Sequence, residues 1–357
     1  MAKYSINIYD ASIFGWTDKS VAEKLGLKNI TDIILRDFDS TNHPRFVLLA
    51  DHSASMVVLA IRGTYSIGDA IIDIVCDEIP FLDGLAHHGM ADAAHTILEK
   101  VLPVLRSLLV ETYPGYKLRV TGHSLGAGTA ELITMILLSN ATAGSGWLSN
   151  IDIKCIALAP PPVYRPSSIL KPLDVYIQQR IIIIVNGNDC VPRLSLANCA
   201  WLLSALRAVD NLSLSVYEQL SIIVQKGTAK ELPIIQPSII VNKNLKKVMA
   251  AIRGIDGQYQ ERFKYLSHPS YYLYYLEPSE TSSNRTNSPV SLVRRKAKYF
   301  SHLLLFFSKM IVHHLQWNYD AALDKVAYDY EDGDHHEITI KTSDVIASNN
   351  GSSLVLM

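Results

Sequence analysis

Short apolar runs bounded by turn residues recur along the chain, and helical patterns lie between them. Six of these runs predict strands, at 45–50, 56–61, 117–121, 153–158, 180–185 and 271–276. Four of the six are rich in Val, Ile and Leu with little alternation, as expected for strands that are buried on both faces. The pattern therefore predicts an α/β fold, with a mostly parallel central sheet and helices on both of its faces.

Two helical patterns flank the third predicted strand. The first precedes it and has apolar residues at i, i+3 and i+4 spacings: Ala94, Ile97, Leu98, Val101, Leu105, Leu108 and Leu109. Pro103 lies inside this pattern, and because proline has no backbone N–H it predicts a kink or a break there. The second pattern follows Ser124 and runs through Ala130, Ile133 and Leu137.

Composition narrows the class of protein. Apolar residues make up 48% of the 357 residues and charged residues 19%, so the chain has ample apolar surface to bury and disorder throughout is excluded. The net charge of -1 provides no basic field for nucleic acid. We expect one large α/β domain at 43–330, a helical extension at 1–42 and a tail at 331–357. The Ser-, Thr-, Asn- and Pro-rich stretch near 277–291 predicts a flexible insert in that domain.

Neither a membrane span nor a secretory signal is visible. No stretch approaches the roughly 18 uninterrupted apolar residues of a spanning helix, and the N-terminus lacks a continuous apolar region. The four cysteines show no CxxC spacing, which suits a reducing compartment. We therefore expect a cytoplasmic protein, and peripheral contact with a membrane or lipid-droplet surface stays open.

The strongest local signal is the sequence Gly-His-Ser-Leu-Gly at 122–126. A predicted strand leads into Ser124 and a predicted helix leads out of it, which is the setting of a nucleophile elbow. So tight a turn requires residues without side chains two positions before and two after the serine, and Gly122 and Gly126 meet that requirement. The pattern predicts an α/β-hydrolase fold with Ser124 as its nucleophile.

A serine hydroxyl needs a base to take its proton and an acid to orient that base. On this scaffold the acid follows the serine in the chain and lies after a later strand. Asp189 meets both conditions, since a short turn separates it from the strand at 180–185. Asp174 precedes that strand, and Asp210 falls in a helical stretch. Asp189 is therefore the predicted acid, and a simple turn aspartate is the alternative.

The base must be a histidine beyond the acid, and six fit that order: His268, His302, His313, His314, His335 and His336. His314 shares the apolar face of a predicted helix with Phe307 and Met310. His313 lies about 100° around that helix, on a more polar face. We expect His314 to be the base, and His268 is the next candidate.

Acyl transfer also requires donors for the oxyanion of the tetrahedral intermediate. One is the backbone amide of the residue after the nucleophile, Leu125. The other should follow an earlier strand, where Gly63 would let the amide of Thr64 approach a substrate. This chemistry requires neither a metal nor an organic cofactor.

Assembled in this order, the motifs resemble the class 3 (fungal-type) lipases, and within them the sn-1-specific diacylglycerol lipases. The blocks that carry the resemblance are 57–75, 87–97, 118–134, 157–163, 185–195 and 310–323. The resemblance implies an α/β-hydrolase fold and an acylglycerol substrate. It also implies a nucleophile at Ser124, an acid at Asp189, a base at His314, and oxyanion donors at the amides of Thr64 and Leu125.

The chain departs from that family in two places. The family usually has Asp directly before its catalytic histidine, whereas this chain has His313, which leaves a second candidate base. The separation of Asp189 and His314, 314 − 189 = 125 residues, exceeds that of the compact secreted members. The insert at 277–291 would account for part of this length.

Two further segments suggest contact with lipid. In such lipases a lid follows the first oxyanion residue, and here Ile67, Ile71 and Ile74 would form the apolar face of a short helix. A helix that is permanently packed is the alternative. A basic cluster before a predicted helix at 299–312 would attract an anionic surface, or is simply the solvated start of that helix: Arg294, Arg295, Lys296 and Lys298.

The sequence as a whole predicts a serine esterase that acts on diacylglycerol or triacylglycerol. A phospholipase A1 or an esterase of soluble esters is the alternative within the same chemistry. A lipid-binding scaffold that keeps the fold without turnover is the alternative of another class.

Overall fold

A computed structural model describes most of the chain: residues 1–14, 17–40, 43–64, 77–143, 146–166, 176–177, 179–212, 250–251, 266–270, 272–278, 290–300 and 307–331. The candidate lid residues Ile67, Ile71 and Ile74 lie outside these ranges. So do most of the insert, at 279–289, and the tail beyond 331.

The central sheet contains eight strands in the described part of the chain, in the order β1-β2-β3-β6-β7-β9-β10-β11. Their bounds are β1 (Ile33–Asp37), β2 (Phe46–Asp51), β3 (Met56–Ile61), β6 (Lys117–His123), β7 (Ile153–Leu158), β9 (Ile181–Asn186), β10 (Tyr272–Pro278) and β11 (Val290–Lys296). Strands β3, β6, β7, β9 and β10 pair in parallel, and the flanking pairs are antiparallel. All six predicted strands are present, and the predicted mostly parallel sheet is confirmed.

A smaller antiparallel sheet lies beside it, formed by β4 (Glu78–Phe81), β5 (Gly84–His87) and β8 (Tyr164–Pro166). The helices are α1 (Ala2–Phe14), α2 (Asp18–Leu25), α3 (His88–Arg106), α4 (Leu125–Thr142), α5 (Leu196–Asp210), α6 (Phe307–His314) and α7 (Gln316–Glu331). The segment 1–42 contains α1 and α2, and it also supplies β1, which pairs with β2 in the central sheet. The segment therefore contributes a strand to the central sheet in addition to the helices expected from its sequence.

Apolar side chains on both faces of the sheet are buried, which explains the continuous apolar runs. On one face Leu48 and Leu59 pack in the core formed with α3 and α4. On the other face Val47 and Val58 pack with Tyr4 and further residues of α1 and α2. Helix α7 covers the β7 and β10 part of that second face.

Two helical predictions need correction. Helix α3 continues through Pro103 to Arg106, so a break at Pro103 is wrong, while a kink there stays a prediction; a π-helical turn follows at Ser107–Thr112. Three of the four residues of the basic cluster do not begin a helix, because Arg294 and its two successors belong to strand β11; Lys298 lies in the 3₁₀ turn Ala297–Phe300 that follows. In β11, Arg295 pairs with Glu277 at 3.2 Å, so an edge strand explains part of this cluster. Within the described ranges, no helix is long and apolar enough to cross a membrane.

Candidate active site

Ser124 lies in the sharp turn between β6 and α4. Its backbone has φ 59° and ψ -132°, a positive φ that a residue with a side chain rarely adopts. A Cβ atom at Gly122 would overlap the carbonyl oxygen of Gly126, and one at Gly126 would overlap that of Ile61. The two glycines therefore permit the turn, which directs the Ser124 hydroxyl out of the sheet edge.

The structure brings Ser124, His314 and Asp189 into one hydrogen-bonded chain. His314 Nε2 lies 2.9 Å from Ser124 Oγ, and His314 Nδ1 lies 3.0 and 3.1 Å from the two carboxylate oxygens of Asp189. A carboxylate only accepts hydrogen bonds, so Nδ1 carries the proton and Nε2 is free to accept the serine proton. All three residues are at most 4% exposed.

Asp189 receives two further hydrogen bonds. The backbone N–H of Val191 donates to Oδ1 at 2.9 Å, and the Tyr319 hydroxyl donates to Oδ2 at 2.6 Å. That hydroxyl in turn accepts the N–H of Asn186 at 2.9 Å. Burial, together with the adjacent Asp189, raises the pKa of Tyr319 well above its ordinary value, so the phenol stays a donor. The acid is thus oriented from three directions.

Tyr319 was not among the residues predicted from the sequence. It shares the buried face of α7 with Ala322 and Val326, at i, i+3 and i+7, and this periodicity could have marked it as inward-facing. Its partner is 130 residues away in the chain, and no local pattern could have identified that contact.

His123, directly before the nucleophile, is a second site residue that the sequence did not predict. Its ring is tilted against that of His314, with 4.8 Å between centroids, and its Nε2 lies 2.8 Å from the His314 carbonyl oxygen. Its Nδ1 lies 3.0 Å from the hydroxyl of Tyr9 on α1. Burial and the neighbouring His314 lower the pKa of His123 well below its ordinary value, so this ring is neutral.

The other candidate bases have different partners. His268 Nε2 lies 2.8 Å from the carbonyl oxygen of Pro192, and burial lowers the pKa of this histidine to about 4. His313 Nδ1 accepts the N–H of Asn188 at 2.8 Å, so His313 binds the loop that carries Asp189. His302, His335 and His336 lie outside the described residues, as does Asp174 among the acids.

The two expected oxyanion residues line the same cavity, of about 460 Å³. Leu125 is the first residue of α4, so its N–H has no acceptor within the helix. Thr64 follows β3 and lines this cavity together with Gly63. The remaining polar lining consists of two hydroxyl side chains and four basic or titratable ones: Ser40, Thr129, His43, Arg45, Arg62 and His87. A Cβ atom at Gly63 would stand 3.1 Å from the Cβ of Ser124, so the residue before Thr64 lies against the nucleophile.

Comparison with known proteins identifies lipases as similar to this chain. Residues 58–199 match the model of the family Lipase (class 3). The chain is 28% identical to Diacylglycerol lipase-beta of Mus musculus over 186 residues, which are 50% of this chain and 26% of the relative. It is 31% identical to Secreted mono- and diacylglycerol lipase A of Penicillium camembertii over 159 residues, 43% of this chain and 48% of the relative. The resemblance to class 3 lipases is confirmed, although the chain spans less than half of the length of these curated relatives.

Among solved structures, the chain is similar to a mutant form of MDLA from Penicillium cyclopium. The TM-score is 0.51 at 19% identity, and the superposition covers 88% of this chain and 93% of that one. At this identity the likeness establishes the fold alone. Together with the parallel sheet and its flanking helices, it confirms the α/β-hydrolase fold.

Proposed function

We propose that this protein is a carboxylic ester hydrolase that cleaves acyl esters of acylglycerols through Ser124, His314 and Asp189. The observation that carries the proposal is the continuous chain of hydrogen bonds from the Ser124 hydroxyl through the His314 ring to the Asp189 carboxylate. A buried chain of this order and polarity activates a serine hydroxyl. We place this machinery in the domain at 43–330.

In the acylation step, Ser124 Oγ attacks the ester carbonyl carbon while His314 Nε2 takes the hydroxyl proton. Asp189 stabilises the imidazolium that forms. The amides of Thr64 and Leu125 bind the oxyanion of the tetrahedral intermediate, each contributing about 3–4 kcal/mol. His314 then gives its proton to the departing alcohol oxygen, which leaves an acyl-enzyme on Ser124.

In the deacylation step, water takes the place of the alcohol. His314 Nε2 accepts a proton from this water as its oxygen attacks the acyl carbon, and the same two amides bind the second oxyanion. The proton then returns to Ser124 Oγ as the fatty acid leaves. Each cycle consumes one ester and one water and returns every side chain to its starting state.

Labelling with a fluorophosphonate probe tests the nucleophile and the base. We expect the wild type to label, Ser124→Ala to lose labelling entirely, and His314→Ala to label at least about 100-fold more slowly. Ser270→Ala is the matched control, because it removes another buried hydroxyl, one that donates to the Ile181 carbonyl away from the site. Equal labelling of Ser124→Ala and Ser270→Ala would overturn the mechanism.

The named substrates of the relatives support an acylglycerol, with diacylglycerol as the first compound to test. The assay compares diacylglycerol, triacylglycerol, phosphatidylcholine and p-nitrophenyl butyrate at equal enzyme concentration. We expect the highest kcat/KM on diacylglycerol. A preference for phosphatidylcholine would assign the protein as a phospholipase, and turnover of p-nitrophenyl butyrate alone would assign it as an esterase of soluble esters. A wild type that labels with the probe yet turns over none of the four would contradict the acylglycerol assignment.

A further inference from the structure

Helix α1 is formed by the first residues of the chain, yet it directs two tyrosines into the protein interior. Tyr4 and Tyr9 are 1% and 2% exposed. The Tyr4 hydroxyl donates to Asp51 Oδ2 at 2.7 Å, at the end of β2. The Tyr9 hydroxyl instead meets His123, directly before the nucleophile. One helix thus carries one tyrosine outside the site and one that reaches into it.

The direction of the hydrogen bond between Tyr9 and His123 follows from the acceptor on the other side of the His123 ring. His123 Nε2 faces a backbone carbonyl, which only accepts, so Nε2 carries the ring proton. Because the ring is neutral, Nδ1 is then an acceptor and Tyr9 must be the donor. The order of donation therefore runs from the Tyr9 hydroxyl to His123, and from His123 to the His314 carbonyl.

This order ends at the main chain of the proposed base. His314 is the last residue of α6, and α7 begins two residues later, at Gln316. Hydrogen bonds from Asn186 Nδ2 to the His313 carbonyl and from Asn318 Nδ2 to the Val312 carbonyl also hold the chain before His314. The bond from His123 fixes the carbonyl of this residue, and the tilted contact between the two rings limits rotation of the His314 imidazole.

Tyr9 also lies against the backbone that leads to Thr64. A Cβ atom at Gly63 would stand 2.5 Å from the Tyr9 hydroxyl and 2.5 Å from the His123 carbonyl oxygen. Gly63 therefore permits the strand end to approach both groups. A single hydroxyl from α1 thus contacts the chain before the nucleophile and the chain before the first oxyanion donor.

We propose that Tyr9 and His123 are positioning residues of the active site, so that the N-terminal helix helps to set the geometry between Ser124 and His314. The inference rests on the proposed function, since it concerns the same serine and histidine. Neither residue contacts the reacting atoms, and both act through the backbone and ring of His314. Their removal should slow chemistry and leave ground-state binding of the ester unchanged.

The test compares Tyr9→Phe with Tyr4→Phe. Each variant loses one buried hydroxyl of the same helix, so the two should lower the melting temperature similarly. We expect Tyr9→Phe to lower kcat on p-nitrophenyl butyrate about tenfold with KM unchanged, because a small displacement of a base has a large effect on rate. Tyr4→Phe should keep the wild-type kcat. Equal kcat values in the two variants would overturn the proposal.

A second variant and a second readout separate this proposal from the proposed function. If His123 transmits the effect of Tyr9, then Tyr9→Phe combined with His123→Gln should be no slower than His123→Gln alone. Additive losses of rate would contradict the transmission. The His314 Nδ1 proton resonance in a ¹⁵N-histidine-labelled sample should shift in Tyr9→Phe and not in Tyr4→Phe. This spectrum would test the positioning even in a protein that failed to label with the fluorophosphonate.

Discussion

Within the described ranges, two carboxyl groups are fully buried and have opposite surroundings. Asp189 and Glu131 are both 0% exposed. Asp189 accepts hydrogen bonds from His314, Val191 and Tyr319, whereas neither carboxyl oxygen of Glu131 has a partner in the described part of the chain. Glu131 lies on α4, the helix that begins at the residue after Ser124.

The difference shows that one protein core can hold a buried carboxyl group in two ways, with several hydrogen-bond donors or with none. A buried carboxylate is tolerated only where donors replace the lost water, and the loop after β9 together with α7 provides them for Asp189. Burial alone raises the pKa of Glu131 well above its ordinary value, so this side chain is a neutral acid among apolar neighbours. Glu131 also contributes, after burial, to a raised pKa of the Cys155 thiol on β7.

Removal of the charge of Asp189 should have the largest effect. Asp189→Asn keeps the shape but allows the amide to donate to His314 Nδ1, which would place the ring proton on the wrong nitrogen. We expect kcat to fall by about 10⁴-fold with little change in KM. The measurement is steady-state hydrolysis of p-nitrophenyl butyrate.

Asp51→Asn is the matched control for that variant, since Asp51 also accepts a tyrosine hydroxyl but lies away from the site. We expect its kcat to equal that of the wild type. A loss of less than tenfold in Asp189→Asn would show that Asp189 does not orient the base.

Glu131 should influence stability instead of rate. Unfolded, its carboxyl ionises near its ordinary pKa of 4.5, while the folded protein retains the proton to a higher pH. The folded state therefore binds more protons above pH 4.5, so stability falls as pH rises until the folded pKa is passed, by about 1.4 kcal/mol per pH unit. We expect Glu131→Gln to remove this loss, because its amide carries no charge at any pH, and to be more stable than the wild type at pH 7.

Denaturant unfolding from pH 4 to pH 8 measures this difference. Below pH 4.5 the wild type and Glu131→Gln should have similar free energies of unfolding, and their difference should widen above it. Glu131→Leu removes the polar group as well, so it should be the more stable of the variants at every pH. Parallel curves for the wild type and Glu131→Gln would mean that Glu131 is not held neutral by the fold.

Tyr319→Phe removes one of the donors that distinguish Asp189 from Glu131. A hydrogen bond to a charged group contributes about 1.5–3 kcal/mol, and the two remaining donors still hold the carboxylate. We expect kcat/KM on p-nitrophenyl butyrate to fall about tenfold, far less than in Asp189→Asn. A Tyr319→Phe variant as active as Tyr4→Phe would show that the tyrosine bond contributes to folding only.

The parts of this molecule that the sequence predicted are those with a local pattern. Parallel strands buried on both faces form apolar runs, and the elbow around Ser124 requires glycines at fixed spacing. Chain order and strand ends then pointed to Asp189 and His314, which the structure places in contact with each other. Strand β11 was mistaken for a helix start, because three basic residues at the end of an edge strand show no apolar periodicity.

The residues that the sequence missed act over long separations. Tyr9 meets His123 across 114 residues, and Tyr319 meets Asp189 across 130. Each tyrosine lies on the apolar face of its helix, so a pattern could predict its burial but not the partner of its hydroxyl. Glu131 is a different case, since a single acid within the apolar run at 125–138 was visible from the sequence alone.

The smallest effect on the rate should come from substitution of His313, the second candidate base. Its Nδ1 accepts the N–H of Asn188, one residue before the acid. His313→Ala leaves that amide without this acceptor and should cost about 1 kcal/mol of stability, with kcat reduced no more than about twofold. The rate of fluorophosphonate labelling of His313→Ala, compared with that of His314→Ala, measures the effect on activity. If His313→Ala labelled more slowly than His314→Ala, the base would be His313. Asp189 would then contact a histidine that is not the base, and the proposed mechanism would be wrong.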